Sequence, residues 1–163
     1  MPETFHLKIN QDLAERIRRH GAETFPYECC GALLGRDAAA GEKLDSSGSE
    51  PSEVPREVLD LFPLVNRRDD SPRNRFAVTA DDVRDAEKAA RQHGLEVIGW
   101  YHSHPDHPAR PSQFDREHAW PWYSYVIVSV MSGAPAEMTS WRLNDDREDY
   151  SPENIEIRNR ALA

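Results

Sequence analysis

The chain has 163 residues, 20 of them Lys or Arg and 29 Asp or Glu, which gives a net charge of −9. At about 150 residues per domain this length predicts a single domain over 1–163, able to bury about 70% of its unfolded surface without a disulfide framework. An acidic balance disfavours nucleic acid, no apolar run approaches the ~18 residues that span a bilayer, and the adjacent Cys29 and Cys30 suit free thiols, so a soluble cytoplasmic protein is expected.

In chain order, Asn10 is a good N-cap, Leu13, Ala14 and Ile17 make one apolar face, and Gly21 suits a left-handed close, predicting a helix over 10–21. Residues 28–35 form a short apolar run between punctuating residues and read as a buried strand. Residues 37–55, rich in Ser, Glu, Gly and Pro, read as a flexible loop inside the domain. A strand over 58–65 and a polar loop over 66–75 follow, and Phe76 begins the next element. Thr79 to Asp82 is a capping box ahead of the stripe Val83, Ala86 and Ala90, a helix ending at Gly94. After a second buried strand over 95–101, Ser112-Gln113-Phe114-Asp115 opens a short helix through about Ala119. The strand 123–130 pairs with 138–143 across a turn at Gly133. Helices interleaved with strands and a late hairpin indicate an α/β fold with a mixed sheet.

Chemistry concentrates in Trp100-Tyr101-His102-Ser103-His104-Pro105, followed by Ser112 and Asp115. His102 and His104 are two apart at a strand end, so both imidazoles project to one side and can reach one ion. Asp115 sits at the third position of the next helix, where it either supplies a third ligand or reaches back to the Ser112 backbone as a capping residue. Two histidines and one carboxylate leave a fourth zinc position open, which is the pattern of a catalytic and not a structural site. An H-x-H alone is expected about 0.3 times in a random chain of this make-up, but with Pro105, Ser112 and Asp115 at their offsets the expectation falls to about one in ten thousand.

The string His102-Ser103-His104-Pro105, six residues, then Ser112-x-x-Asp115, with Glu28 ahead of a short apolar strand, resembles the signature of the JAMM (MPN+, Mov34/JAB) metalloproteases, small prokaryotic type. The resemblance covers most of the chain, about 5–145. It implies a three-layer α/β/α fold with a mixed sheet, similar to that of the cytidine deaminases, whose own H-x-E and P-C-x-x-C signature is absent. It also implies one Zn²⁺ held by His102, His104 and Asp115, with Glu28 as general acid/base beside the zinc-bound water and Ser112 as donor to the oxyanion. The activity implied is hydrolysis of the bond after the C-terminal Gly-Gly of a ubiquitin-like or sulfur-carrier protein. The competing reading is a catalytically inactive MPN scaffold that binds a protein partner; the complete ligand set speaks against it. Hydrolysis of a small amide keeps the metal and changes the substrate.

Other residues have plainer readings. Cys29 and Cys30 sit in a strand that favours inert packing, and they lack partners for a zinc ribbon. His107 and His118 read as surface histidines near the site. Trp120, Trp122, Tyr123 and Tyr125 belong to the core or line a peptide groove, and Asn66 and Arg75-Phe76 border a loop beside the substrate channel.

Overall fold

The computed structural model describes residues 5–37, 56–65 and 78–158. Strand β1 (Phe5–Asn10) leads into helix α1 (Gln11–Thr24), followed by β2 (Cys30–Asp37) and β3 (Arg56–Leu64). Helix α2 (Ala80–Gln92), β4 (Glu96–Pro105) and α3 (Gln113–His118) come next, then β5 (Ser124–Met131), β6 (Ala134–Leu143) and β7 (Tyr150–Arg158). The strands run β1-β3-β2-β4-β5-β6-β7 and close on themselves. Pairs β1–β3, β1–β7 and β4–β5 are parallel; the others are antiparallel.

Helix α1 begins where expected, with Asn10 Oδ1 accepting the Leu13 N–H at 2.8 Å. Its buried Leu13, Ala14 and Ile17 join Leu7, Ile9, Leu33, Val58, Val126 and Val128 in one apolar cluster. The helix does not stop at Gly21 but continues to Thr24. Gly21 serves close packing instead: a Cβ there would lie 3.0 Å from Val130 Cγ2 and 3.3 Å from Ser103 Cβ. Helix α2 covers the opposite face of the sheet, where Ala86 and Ala90 meet Ala32, Leu34 and Trp100. Leu33 faces one cluster and Ala32 and Leu34 the other, so β2 is buried on both sides, which is why it reads as an unbroken apolar run.

The mixed sheet with helices is as expected from the sequence. The three-layer α/β/α arrangement is a different matter, because the strand order closes through β1 and β7, two strands absent from the sequence reading. The only buried side chain of β7 is a charged one, Glu153. It accepts hydrogen bonds from Ser124 Oγ (3.1 Å), Ser140 Oγ (2.6 Å) and Arg142 Nε (2.8 Å). Buried Arg56 extends this network, donating to Asp37 at 3.0 Å, to Ser124 Oγ at 3.0 Å and to the Ile98 carbonyl at 3.3 Å. Sealing that seam with charge is tolerable because each polar group has a partner.

Boundaries shift elsewhere. Strand β4 runs through both histidines to Pro105, four residues past the expected end, and β6 starts at Ala134 instead of 138. Ser132 and Gly133, with φ of 53° and 86°, form the two-residue turn between β5 and β6. Apart from Asp37, the loop expected over 37–55 lies outside the described residues, as do Asn66, Arg75 and Phe76.

Candidate metal centre

The H-x-H segment stays in the sheet because β4 lies between β2 and β5, pairing Cys30 with His102 on one side and Ser129 with His104 on the other. Three side-chain atoms converge there. His102 Nε2 and His104 Nε2 are 3.1 Å apart, and Asp115 Oδ2 lies 3.2 Å from the first and 3.1 Å from the second. Ligands about 2.0–2.1 Å from a tetrahedral zinc are about 3.3 Å from one another, so this triangle fits one face of such a site. His104 Nδ1 is 2.9 Å from the Pro108 carbonyl oxygen, which can only accept. Nδ1 therefore carries a proton, and Nε2 is the nitrogen that faces the cluster. These three are the residues among those described whose ligand atoms cluster so as to hold a metal.

Asp115 makes the cap and also brings an oxygen up to both imidazoles. Its Oδ2 accepts the Ser112 N–H at 2.9 Å, and Ser112 Oγ accepts the Asp115 N–H at 3.0 Å, a complete capping box. Burial opposes ionisation of this carboxyl, but the attraction of His102 and the bonds to both imidazoles outweigh it and hold its pKa well below the usual carboxylate range. The Ser112 oxygen is used as an acceptor by the cap, which leaves its own proton unused by that bond.

Glu28 precedes β2 and is buried, at 5% exposure. Cys29 beside it is tied to β4 twice: its N–H donates to Ser103 Oγ at 2.8 Å and its carbonyl accepts the Ser103 N–H at 3.2 Å. Cys29 faces the α1 cluster and Cys30 the α2 cluster, in whose cavity wall His102 also sits.

Both thiols are buried and protonated: burial pushes Cys29 up to about 12 and raises Cys30 well above its ordinary value. Neither suits a nucleophile. A cavity of about 510 Å³ adjoins the cluster, with His102 and Asp115 in its wall beside Trp100, Trp120, Tyr123 and Tyr125. His118 also lines it. His107 is exposed on the loop after β4, and Trp122 lies elsewhere, its ring under the Arg56 guanidinium at 4.2 Å. Trp100 was named in the site segment but given no part in the cavity, although its place two residues before His102 puts it on the same strand face. The sequence reading also gave Val78 and Val83 no place in the cavity wall and missed the Pro108 carbonyl behind His104.

Comparison with known proteins agrees with this geometry. The family described as prokaryotic homologs of the JAB domain matches residues 10–144. A desampylase of Haloferax volcanii is 30% identical over 128 residues, 76% of this chain and 80% of that protein. The deubiquitinase BRCC36 of Rattus norvegicus is 28% identical over 111 residues, 59% of this chain and 38% of that protein. The solution structure of a Salinibacter ruber protein superposes with a TM-score of 0.65 at 43% identity, covering 96% of this chain and 94% of that one. The chain belongs to the prokaryotic branch of the JAB/MPN family.

Proposed function

We propose that this protein is a zinc-dependent peptidase or isopeptidase that cuts the bond after the C-terminal Gly-Gly of a ubiquitin-like or sulfur-carrier protein. The observation that carries the reading is the triangle of His102, His104 and Asp115, with sides of 3.1–3.2 Å, inside a JAB domain. The desampylase and deubiquitinase names of its relatives support a modifier protein as substrate.

His102, His104 and Asp115 would hold the zinc, which when bound polarises a carbonyl and lowers the pKa of a coordinated water to about 7. Glu28 then takes the proton of the attacking water and passes it to the leaving nitrogen, without which an amine is too poor a leaving group. Ser112 donates its hydroxyl proton to the carbonyl oxygen as negative charge gathers there, a contribution of about 3 kcal/mol. The aromatic cavity shields the reacting groups from bulk water and holds the substrate chain.

The reading is tested with a ubiquitin-like domain ending in Gly-Gly and extended by a short peptide, and with the same domain joined to a lysine side chain. Zinc-loaded protein should release a product whose mass ends at the second glycine, and chelation should stop it. Intact substrates after prolonged incubation with zinc-loaded protein would overturn the proposal.

A further inference from the structure

Three successive carbonyl groups after β4 each accept a hydrogen bond from a different strand. Ser129 Oγ of β5 donates to the His107 carbonyl at 2.6 Å, His104 Nδ1 of β4 to the Pro108 carbonyl at 2.9 Å, and Thr139 Oγ1 of β6 to the Ala109 carbonyl at 2.6 Å. The middle bond fixes which nitrogen of His104 faces the ligand cluster. We propose that the outer two make Ser129 and Thr139 positioning residues of the metal centre, holding the 107–109 backbone so that the Pro108 carbonyl stays in line with His104 Nδ1. The proposal rests on the reading that His102, His104 and Asp115 hold zinc.

Each donor is set up for this task. Ser129 is buried, pairs with His104 in the β4–β5 register, and sits at the irregularity between Val128 and Val130 where β5 slips against β6. Such a bulge turns a side chain out of the regular alternation. The Thr139 oxygen accepts the indole N–H of Trp141 at 2.8 Å, which leaves its proton for the Ala109 carbonyl. The loop is tied at its start as well: the Asp106 N–H donates to the Val130 carbonyl at 2.8 Å, and Asp106 Oδ1 accepts the Ser132 N–H at 2.7 Å. Ala109 is fully buried, so an Ala109 carbonyl robbed of its donor has no water to turn to and the segment must move. His104 moves with it, because the Pro108 carbonyl is its Nδ1 partner.

The test uses Ser129→Ala and Thr139→Val singly and together, with Thr139→Ser as the conservative variant. Loss of groups that orient a ligand weakens metal binding by about 10–100-fold. Zinc affinity, measured by competition with a chromophoric chelator, should fall about tenfold in the double variant, and the visible spectrum of the Co²⁺-loaded protein should change. Thr139→Ser should restore both. A second readout needs no metal: in the metal-free parent the His104 Nδ1 proton should give a slowly exchanging imidazole resonance that broadens or vanishes in the double variant. Parent-like zinc affinity, cobalt spectrum and imidazole resonance in the folded double variant would overturn the positioning role. A parent that binds no zinc yet shows the same loss of protected resonance would keep the clamp and sink the zinc reading instead.

Discussion

Ser112 and Asp115 hold each other from both ends: the Ser112 N–H reaches Asp115 Oδ2 at 2.9 Å while the Asp115 N–H reaches Ser112 Oγ at 3.0 Å. That same Oδ2 completes the triangle with the two imidazoles. The capping box therefore does not compete with the ligand role. It aims the carboxylate, since a group fixed by the first turn of a helix has little rotational freedom to lose when an ion binds.

Ser112→Ala separates the two functions of that residue. The backbone N–H that steadies Asp115 survives, so zinc content should stay near that of the parent. Turnover should drop on the order of 100-fold with loss of the oxyanion donor. Stability should fall by about 1 kcal/mol with loss of the cap. Elemental analysis, steady-state kinetics and thermal unfolding of one preparation check all three.

In the proposed mechanism Glu28 carries protons and is not a ligand, so Glu28→Gln should abolish turnover and leave metal content unchanged. Zinc per chain and cleavage rate measured side by side decide it. An active Glu28→Gln variant would remove the residue from the mechanism.

Gly31 pairs with Tyr101 across β2 and β4, and a Cβ at that position would overlap the tyrosine ring. The ring has little room to yield, being buried and bonded through its hydroxyl to His20 Nδ1 at 2.8 Å. Gly31→Ala should cost about 1–3 kcal/mol, read as a lower midpoint in urea. Because Tyr101 adjoins His102, weaker zinc binding should accompany it.

Burial lowers the pKa of His20 from its ordinary value of 6.5, and Glu23 only partly opposes the shift. The folded chain thus binds this proton less readily than the unfolded chain. Stability from this site is complete above 6.5 and declines as the pH falls through 6.5 towards the lowered value. Comparing Tm between pH 7.5 and 5 for the parent and His20→Gln should show a shallower decline in the variant.

The centre was legible because its spacing is short and chemically costly to produce by chance: His102 and His104 within one strand, Asp115 at a helix start. The elements that bury apolar faces were legible too, from Leu13, Ala14 and Ile17 on α1 to the run 31–34 on β2. Strands β1 and β7 were not. Leu7 and Ile9 are too few to set a period, and β7 contains Pro152 and buries Glu153, so no hydrophobic alternation marks it. Its place is fixed by Ser124, Ser140 and Arg142, which come from other parts of the chain. Gly21 misled for a related reason: a glycine allowing a helix to approach a sheet looks, in sequence, like one that ends a helix. The Pro108 carbonyl had no signal at all, being backbone.

The most direct test of the central claim is zinc content per chain, by elemental analysis of protein purified without added metal, with Asp115→Ala prepared in parallel. About one zinc per chain in the parent and little in the variant is the predicted result. A parent that holds no zinc even after zinc is offered and the excess removed, or an Asp115→Ala variant that holds as much as the parent, would contradict it.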